Sequence, residues 1–228
     1  MQFDNIRGFL FDLDGVITDT AALHAKAWAG ICQRLGIPWT DALAEGTKGV
    51  SRMDSLEVIL KSVNRQDEFT MAQKAQMATE KNDRYQELIT HLTASDILPG
   101  MKDFITDLKQ HNYQLALASA SRNAPTVLKY LGLSDVFPKI VDPSNLTKGK
   151  PDPEIYQHAA ALLNLEPGQC IGVEDAPAGV ASIKAAGAIA VGIGDAHDLA
   201  QADVVFPGTA SLTLTALRGK LEDGVLNA

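Results

Sequence analysis

Six short runs limit what this chain can fold into: Gly8–Phe11, Leu115–Ala118, Lys139–Val141, Cys170–Val173, Ile189–Ile193 and Val204–Phe206. They are mostly apolar, without the polar alternation of a half-exposed strand. Each therefore reads as a strand buried on both faces. Helical patterns lie between them, near Met101–His111, Ala124–Leu131, Pro153–Leu163 and Ala178–Ala186. Buried strands spaced by helices make a parallel sheet covered on both sides, a doubly wound α/β domain. Ligands of such sheets bind outside the carboxyl ends of the strands.

The rhythm breaks once. From Asp19 to Leu92 the pattern is helical, with no convincing buried strand. Leu23, Ala27, Gly30, Ile31 and Leu35 share a helical stripe closed by Gly36 and Pro38, and Ser55–Val63 and Met71–Leu92 continue the pattern. The expected organisation is an α/β core made of residues 1–18 and 93–228, with a small α-helical cap, residues 19–92, inserted after the first strand. A cap attached at that strand end would lie over the site and could close it against water.

Charge and composition remove some partners. The formal net charge is -8 and no Lys/Arg block is present, which argues against nucleic acid or an anionic membrane. No apolar segment is long enough to cross a bilayer, and the polar start, Met1–Arg7, does not have the pattern of a signal peptide. The two cysteines, Cys32 and Cys170, are far apart and in no metal-like spacing. They read as buried thiols of a reducing compartment. The expectation is a cytoplasmic monomer that acts on small molecules.

The strand ends carry the chemistry. The first closes in Asp12-Leu-Asp14-Gly15. Residues two apart on an extended segment point the same way, so both carboxylates would face one site. Two like charges that close cost free energy unless a cation or a shared proton offsets them. A lone Asp there would more simply cap a helix or close a turn. The second strand leads into Ser119-Ala120-Ser121-Arg122-Asn123, whose hydroxyls and amides suit an anionic oxygen, or merely cap the next helix. Lys150 precedes Pro151, which favours an extended backbone and a fixed point charge. A further strand ends in Glu174-Asp175. With Asp12 these acids form the hard oxygen set that Mg2+ prefers. A carboxylate nucleophile, a second carboxylate, Mg2+ and a lysine together describe phosphoryl transfer through an aspartyl-phosphate.

In that order, Asp12-Leu-Asp14-Gly15-Val16, Ser119, Lys150-Pro151 and Glu174-Asp175 resemble the four motifs of the haloacid dehalogenase superfamily. The resemblance covers essentially the whole chain, and the helical insert resembles the small cap of that superfamily's Rossmann-like core. Asp12 to Thr20 with His24 and Trp28, Lys48-Gly-Val-Ser-Arg52, Lys81-Asn-Asp83 and Ala118 to Asn123 resemble one branch more closely. Its members interconvert β-D-glucose 1-phosphate and β-D-glucose 6-phosphate through β-glucose 1,6-bisphosphate.

The resemblance implies roles. Asp12 would be the phosphorylated nucleophile and Asp14 the general acid–base. Mg2+ would be held by Asp12, Asp14 through its carbonyl, and Asp175, with Glu174 at hand. Ser119, the Ala120 amide and Lys150 would hold the transferring phosphate. Arg52, Ser121 and Asn123 would hold the phosphate that stays on the sugar, with Arg122 near it. His24, Lys48, Gly49 and Lys81 would meet the sugar or report cap closure, and Thr20 would lie at the hinge. Members of the branch carry Lys where Arg122 stands, which keeps the charge but changes the geometry.

Two other readings belong beside this one. A small sugar-phosphate phosphatase would use the same core and let water attack the aspartyl-phosphate. A non-catalytic phosphosugar-binding protein would not need the nucleophile. A dinucleotide-dependent oxidoreductase is disfavoured, because no strand is followed by Gly-x-Gly-x-x-Gly.

Overall fold

The computed structural model describes residues 3–226. Five strands form one sheet, β1 (Gly8–Phe11), β2 (Gln114–Leu117), β3 (Cys170–Glu174), β4 (Ile189–Ile193) and β5 (Val204–Phe206), in the order β2-β1-β3-β4-β5. Every pairing is parallel, and Phe11 lies opposite Leu117 on one side and Val173 on the other. The order reverses beside β1. The crevice at the carboxyl end of β1 is thus where such a sheet opens for a ligand.

Alternate residues of each strand serve two cores. Phe9, Phe11, Leu115, Leu117, Ile171, Val173, Ile189 and Val191 pack on one face against α5 (Met101–Gln110), α6 (Ala124–Tyr130) and α9 (Leu214–Leu226). Leu10, Ala116, Cys170 and Ala190 pack on the other against α7 (Glu154–Leu162) and α8 (Pro177–Ala186). This double burial is why the runs are apolar without alternation. Both thiols, Cys32 and Cys170, are buried and unpaired.

The third run behaves differently from the reading above. Lys139–Val141 makes a single bridge, between Ile140 and Leu117, and is not a strand of the sheet. Two bonds hold it to β2, from Leu117 N to Lys139 O and from Val141 N to Leu117 O. Pro138 and Pro143 flank it, and a residue without an N–H cannot extend a ladder. Lys139 is exposed, as befits an edge.

Between β1 and α5 the chain forms four helices, α1 (Ala21–Leu35), α2 (Asp41–Gly46), α3 (Arg52–Lys61) and α4 (Met71–Ile89). Thr40, Ser51 and Thr70 cap the last three by accepting a backbone N–H from the first turn. Gly36 closes α1 in the left-handed conformation. Trp28, Ile31, Cys32, Leu56, Ile59 and Met77 build a separate apolar core for these helices. Each such side chain contributes on the order of 2 kcal/mol, so these helices hold one another, while Ala27, Tyr85 and Ile89 join the core that packs on the sheet. The outgoing and returning segments are tied together where they cross: Thr18 bridges Ile97, and the Thr18 hydroxyl donates to Asp96 O at 2.7 Å. Among the described residues, no helix is long and apolar enough to cross a membrane.

Candidate active site

Asp12 extends β1 by one residue, its N–H donating to Val173 O at 3.0 Å. The chain then turns. Gly15 adopts φ 72°, and its N–H donates to Thr18 O at 2.9 Å. A side chain at Gly15 would also strike the Asp175 carboxylate, so glycine here lets the loops after β1 and β3 approach each other.

Lys150 enters from the loop before α7. The segment turns there, Asp152 N donating to Gly149 O at 3.0 Å, and the Lys150–Pro151 peptide is cis. Lys150 Nζ donates to Asp12 Oδ1 at 2.7 Å and to Glu174 Oε1 at 2.6 Å. Burial opposes its charge, but Asp12 and Glu174 outweigh burial and raise its proton affinity. Two carboxylates against one ammonium leave excess negative charge in a dry place. Protons relieve it in the metal-free protein. Burial pushes Asp12 up to about 6, with Lys150 opposing and Glu174 adding to the rise. Burial, then the charges of Glu174 and Asp12, push Asp175 up to about 8.

Glu174 and Asp175 are neighbours with different surroundings. Glu174 is fully buried; its Oε2 accepts the N–H groups of Asp175 and Ala176 at 2.9 and 3.0 Å. Its Oε1 accepts from Lys150 and, at 3.3 Å, from the Tyr156 hydroxyl. Gly179 leaves it room, since a side chain there would overlap the Glu174 carboxylate. Asp175 instead lines the cavity. Carboxylate oxygens of Asp12, Glu174 and Asp175 lie within 4.8 Å of one another, a set that could hold a metal ion. Glu174 has both oxygens engaged already, so the open donors are Asp12 and Asp175. The all-oxygen, net-negative set fits a hard divalent cation.

Asp14 meets the cap. Burial and then the charge of Asp12 push it up to about 8, with Lys81 pulling the other way. Its Oδ2 is 3.9 Å from His24 Nε2, and its Oδ1 has no partner. Lys81 Nζ lies 2.5 Å from His24 Nδ1. Burial, then the charges of Lys81 and Arg52, lowers His24 and keeps its ring neutral. When Lys81 is charged it donates to Nδ1, and the neutral ring then carries its proton on Nε2, the nitrogen nearer Asp14. Burial and Arg52 lower Lys81 to about 7.

Another part of the cavity wall is cationic. Arg52 begins α3, and Arg122 approaches it from the loop after β2. Burial and then the Arg122 charge both disfavour a charged Arg52. Ser119 is buried, and its Oγ accepts from Ser121 N at 3.1 Å.

One cavity of about 990 Å³ joins these groups. Asp12, Asp14, His24, Lys48, Gly49 and Arg52 line it, as do Lys81, Ser119, Ala120, Ser121, Arg122, Lys150 and Asp175. Thr20, Asn123 and Glu174 lie behind the wall, and all three are buried. Lys48 also pairs with Glu45 at 2.7 Å, and Gly49 sits against Ala176 of the core. Three supporting residues escaped the sequence reading: Tyr156 and Gly179 around Glu174, and Tyr85 tilted against His24 with ring centroids 4.0 Å apart; Asn82, inside the Lys81-Asn-Asp83 stretch but given no role there, lies beside Arg52. Only Tyr85 had a local signal, one helical turn after Lys81.

Comparison with known proteins agrees with this geometry. The family model for haloacid dehalogenase-like hydrolases matches residues 6–187. The chain is 45% identical over 217 residues to β-phosphoglucomutase of Bacillus subtilis, covering 95% of this chain and 96% of that one. The crystal structure of a β-phosphoglucomutase from Clostridium difficile superposes with a TM-score of 0.94 at 41% identity, covering 97% of this chain and 99% of that chain. A phosphorylated carbohydrates phosphatase of Thermotoga maritima is 30% identical, covering 78% of this chain and 80% of that protein.

Proposed function

The chain belongs to the haloacid dehalogenase-like hydrolase family, and within it we propose an intramolecular phosphotransferase that interconverts β-D-glucose 1-phosphate and β-D-glucose 6-phosphate. One observation carries this reading over a phosphatase. The cavity wall carries two cationic groups, Lys150 beside Asp12 and the pair Arg52 and Arg122 with Ser121, which suits an anion at each. A mutase must hold two phosphates at once. It must also keep water from the aspartyl-phosphate, and a cap gripping the remote phosphate uses binding energy away from the reacting centre to do so.

Asp12 Oδ1 is engaged by Lys150, which leaves Oδ2 to attack phosphorus. As that O–P bond forms, the bond from phosphorus to the sugar oxygen breaks, and Asp14 gives its proton to the leaving oxygen. In the reverse sense, Asp14 takes the proton of a sugar hydroxyl that attacks the aspartyl-phosphate, and the bond to Asp12 breaks. A β-glucose 1,6-bisphosphate formed this way turns end for end, so that its other phosphate faces Asp12. Ser119, the Ala120 amide and Lys150 hold the transferring group. Arg52, Ser121, Arg122 and Asn123 hold the stationary one. His24, Lys48, Gly49 and Lys81 meet the sugar, and the orphaned Asp14 Oδ1 and His24 Nε2 suit a hydroxyl there.

Asp12, the Asp14 carbonyl and Asp175 would hold Mg2+, with Glu174 fixing Lys150 and the Asp175 loop. The cation would offset charge on the phosphoryl oxygens. The helices of residues 19–92 act as the cap, and Thr20, at the start of α1, is its hinge. The buried, unpaired thiols fit a cytoplasmic setting, and the protein acts as a monomer. Purified Asp12→Ala should lose all turnover, and Asp14→Asn should lose phosphoryl transfer; full activity in either variant overturns the scheme.

A further inference from the structure

We propose that Asn82 is the positioning residue of the remote phosphate subsite, aiming Arg52 and Asn123 at the anion and joining them across the cap–core boundary. This rests on the reading above. Asn82 has no part in the chemistry and does not line the cavity. Its Oδ1 accepts twice, from an Arg52 guanidinium nitrogen at 2.6 Å and from Asn123 Nδ2 at 2.9 Å. Asn123 Oδ1 in turn accepts from Gln86 Nε2 at 3.2 Å. Arg52 is on α3, Asn82 and Gln86 are on α4, and Asn123 precedes α6 in the core. One oxygen therefore links two cap helices to the loop that follows β2.

The chemical type of this oxygen matters. Arg52 is partly buried beside Arg122, a like charge, and the attraction of Asp83 is the weakest influence on it. A carboxylate at position 82 would orient Arg52 equally well, but it would neutralise the guanidinium and repel a phosphate. An amide oxygen fixes direction and leaves the positive charge for the ligand. Asn82 spans cap and core, so its bonds to Arg52 and Asn123 coexist only when the cap lies over the site. Binding at the remote phosphate is thereby coupled to exclusion of water from Asp12.

The test compares wild type, Asn82→Ala and Asn82→Asp for thermal unfolding, KM and kcat with β-glucose 1-phosphate, free phosphate released per isomerisation, and calorimetric Kd for glucose 6-phosphate. Asn82→Asp keeps the acceptor, so it should unfold at or above the wild-type temperature. Its KM and Kd should nonetheless rise roughly tenfold or more, exceeding those of Asn82→Ala. Asn82→Ala should release several-fold more phosphate per turnover. A merely structural residue gives the opposite order, with Asn82→Asp close to wild type in KM and Kd, and that order overturns the proposal. A wild-type protein that releases phosphate without isomerising overturns the mutase reading instead; the Kd order still decides the role of Asn82.

Discussion

Lys150 and Asp12 form a 2.7 Å ion pair in which both side chains are almost wholly buried. Glu174 shares the same ammonium at 2.6 Å, with no exposed surface of its own. Lys150 thus serves the fold as well as the chemistry. Lys150→Ala leaves two buried carboxylates without their counter-charge, a loss of about 3–5 kcal/mol. Thermal and denaturant unfolding should show a large loss of stability together with abolished turnover. A stable but inactive variant would restrict Lys150 to catalysis.

Stability should depend on pH in a direction set by the acids. Asp14 and Asp175 are raised to about 8, and Asp12 to about 6, all above the unfolded value of 3.8. Between these values the folded state holds more protons than the unfolded chain, so stability falls as pH rises. His24 and Lys81 are lowered and work the other way, His24 below 6.5 and Lys81 from about 7 upward, two groups against three. In chelator, the unfolding temperature should therefore decline between about pH 5 and 7. Mg2+ binds the deprotonated form, so the stabilisation it adds should grow with pH. An Mg2+ increment that is flat or shrinking from pH 5.5 to 8 contradicts the assignment of this cluster as the metal site.

Gly179 is a close-approach position inside α8. Gly179→Ala puts a methyl into the Glu174 carboxylate. Helix propensity alone would make this change favourable by up to about 1 kcal/mol. The expected result is the reverse, a destabilised protein with reduced kcat, because Glu174 must move and release Lys150. Circular dichroism melting with parallel kinetics checks both.

Arg52→Lys keeps the charge and loses the paired, planar donors. Catalytic efficiency with β-glucose 1-phosphate should fall by roughly tenfold or more, a loss of about 1.4 kcal/mol in binding the transition state. Free phosphate per turnover should rise, since the cap then grips its anion less well. Steady-state kinetics with phosphate detection reads both quantities.

The sequence was legible where signals were local. An apolar run followed by Asp12-Leu-Asp14-Gly15 marks a strand end and its turn within a few residues. Fully apolar runs indicated a two-faced sheet, and the two cores divide Phe9 and Phe11 from Leu10 as that implies. Lys139–Val141 misled because flanking prolines, rather than its own residues, decided its fate; Val204–Phe206, equally short but not bracketed in this way, does form a strand. The six residues of α2, Asp41–Gly46, are too few to show a stripe. Spacing alone does not separate Glu174 from Asp175; only the resemblance put Asp175 first as the metal ligand. On an extended strand end adjacent residues point to opposite sides, and only the fold says which one meets Lys150. Tyr156 reaches Glu174 across 18 positions, and Asn82 reaches Asn123 across 41. Such contacts leave no mark in local spacing.

The central claim is that Asp12 passes its phosphoryl group to sugar rather than to water. Purified protein, Mg2+, β-glucose 1-phosphate and a trace of β-glucose 1,6-bisphosphate are mixed, and glucose 6-phosphate and free phosphate are followed together. The account predicts rapid isomerisation with free phosphate a small fraction of product. Phosphate release that matches or exceeds glucose 6-phosphate formation would contradict it and make the protein a phosphatase.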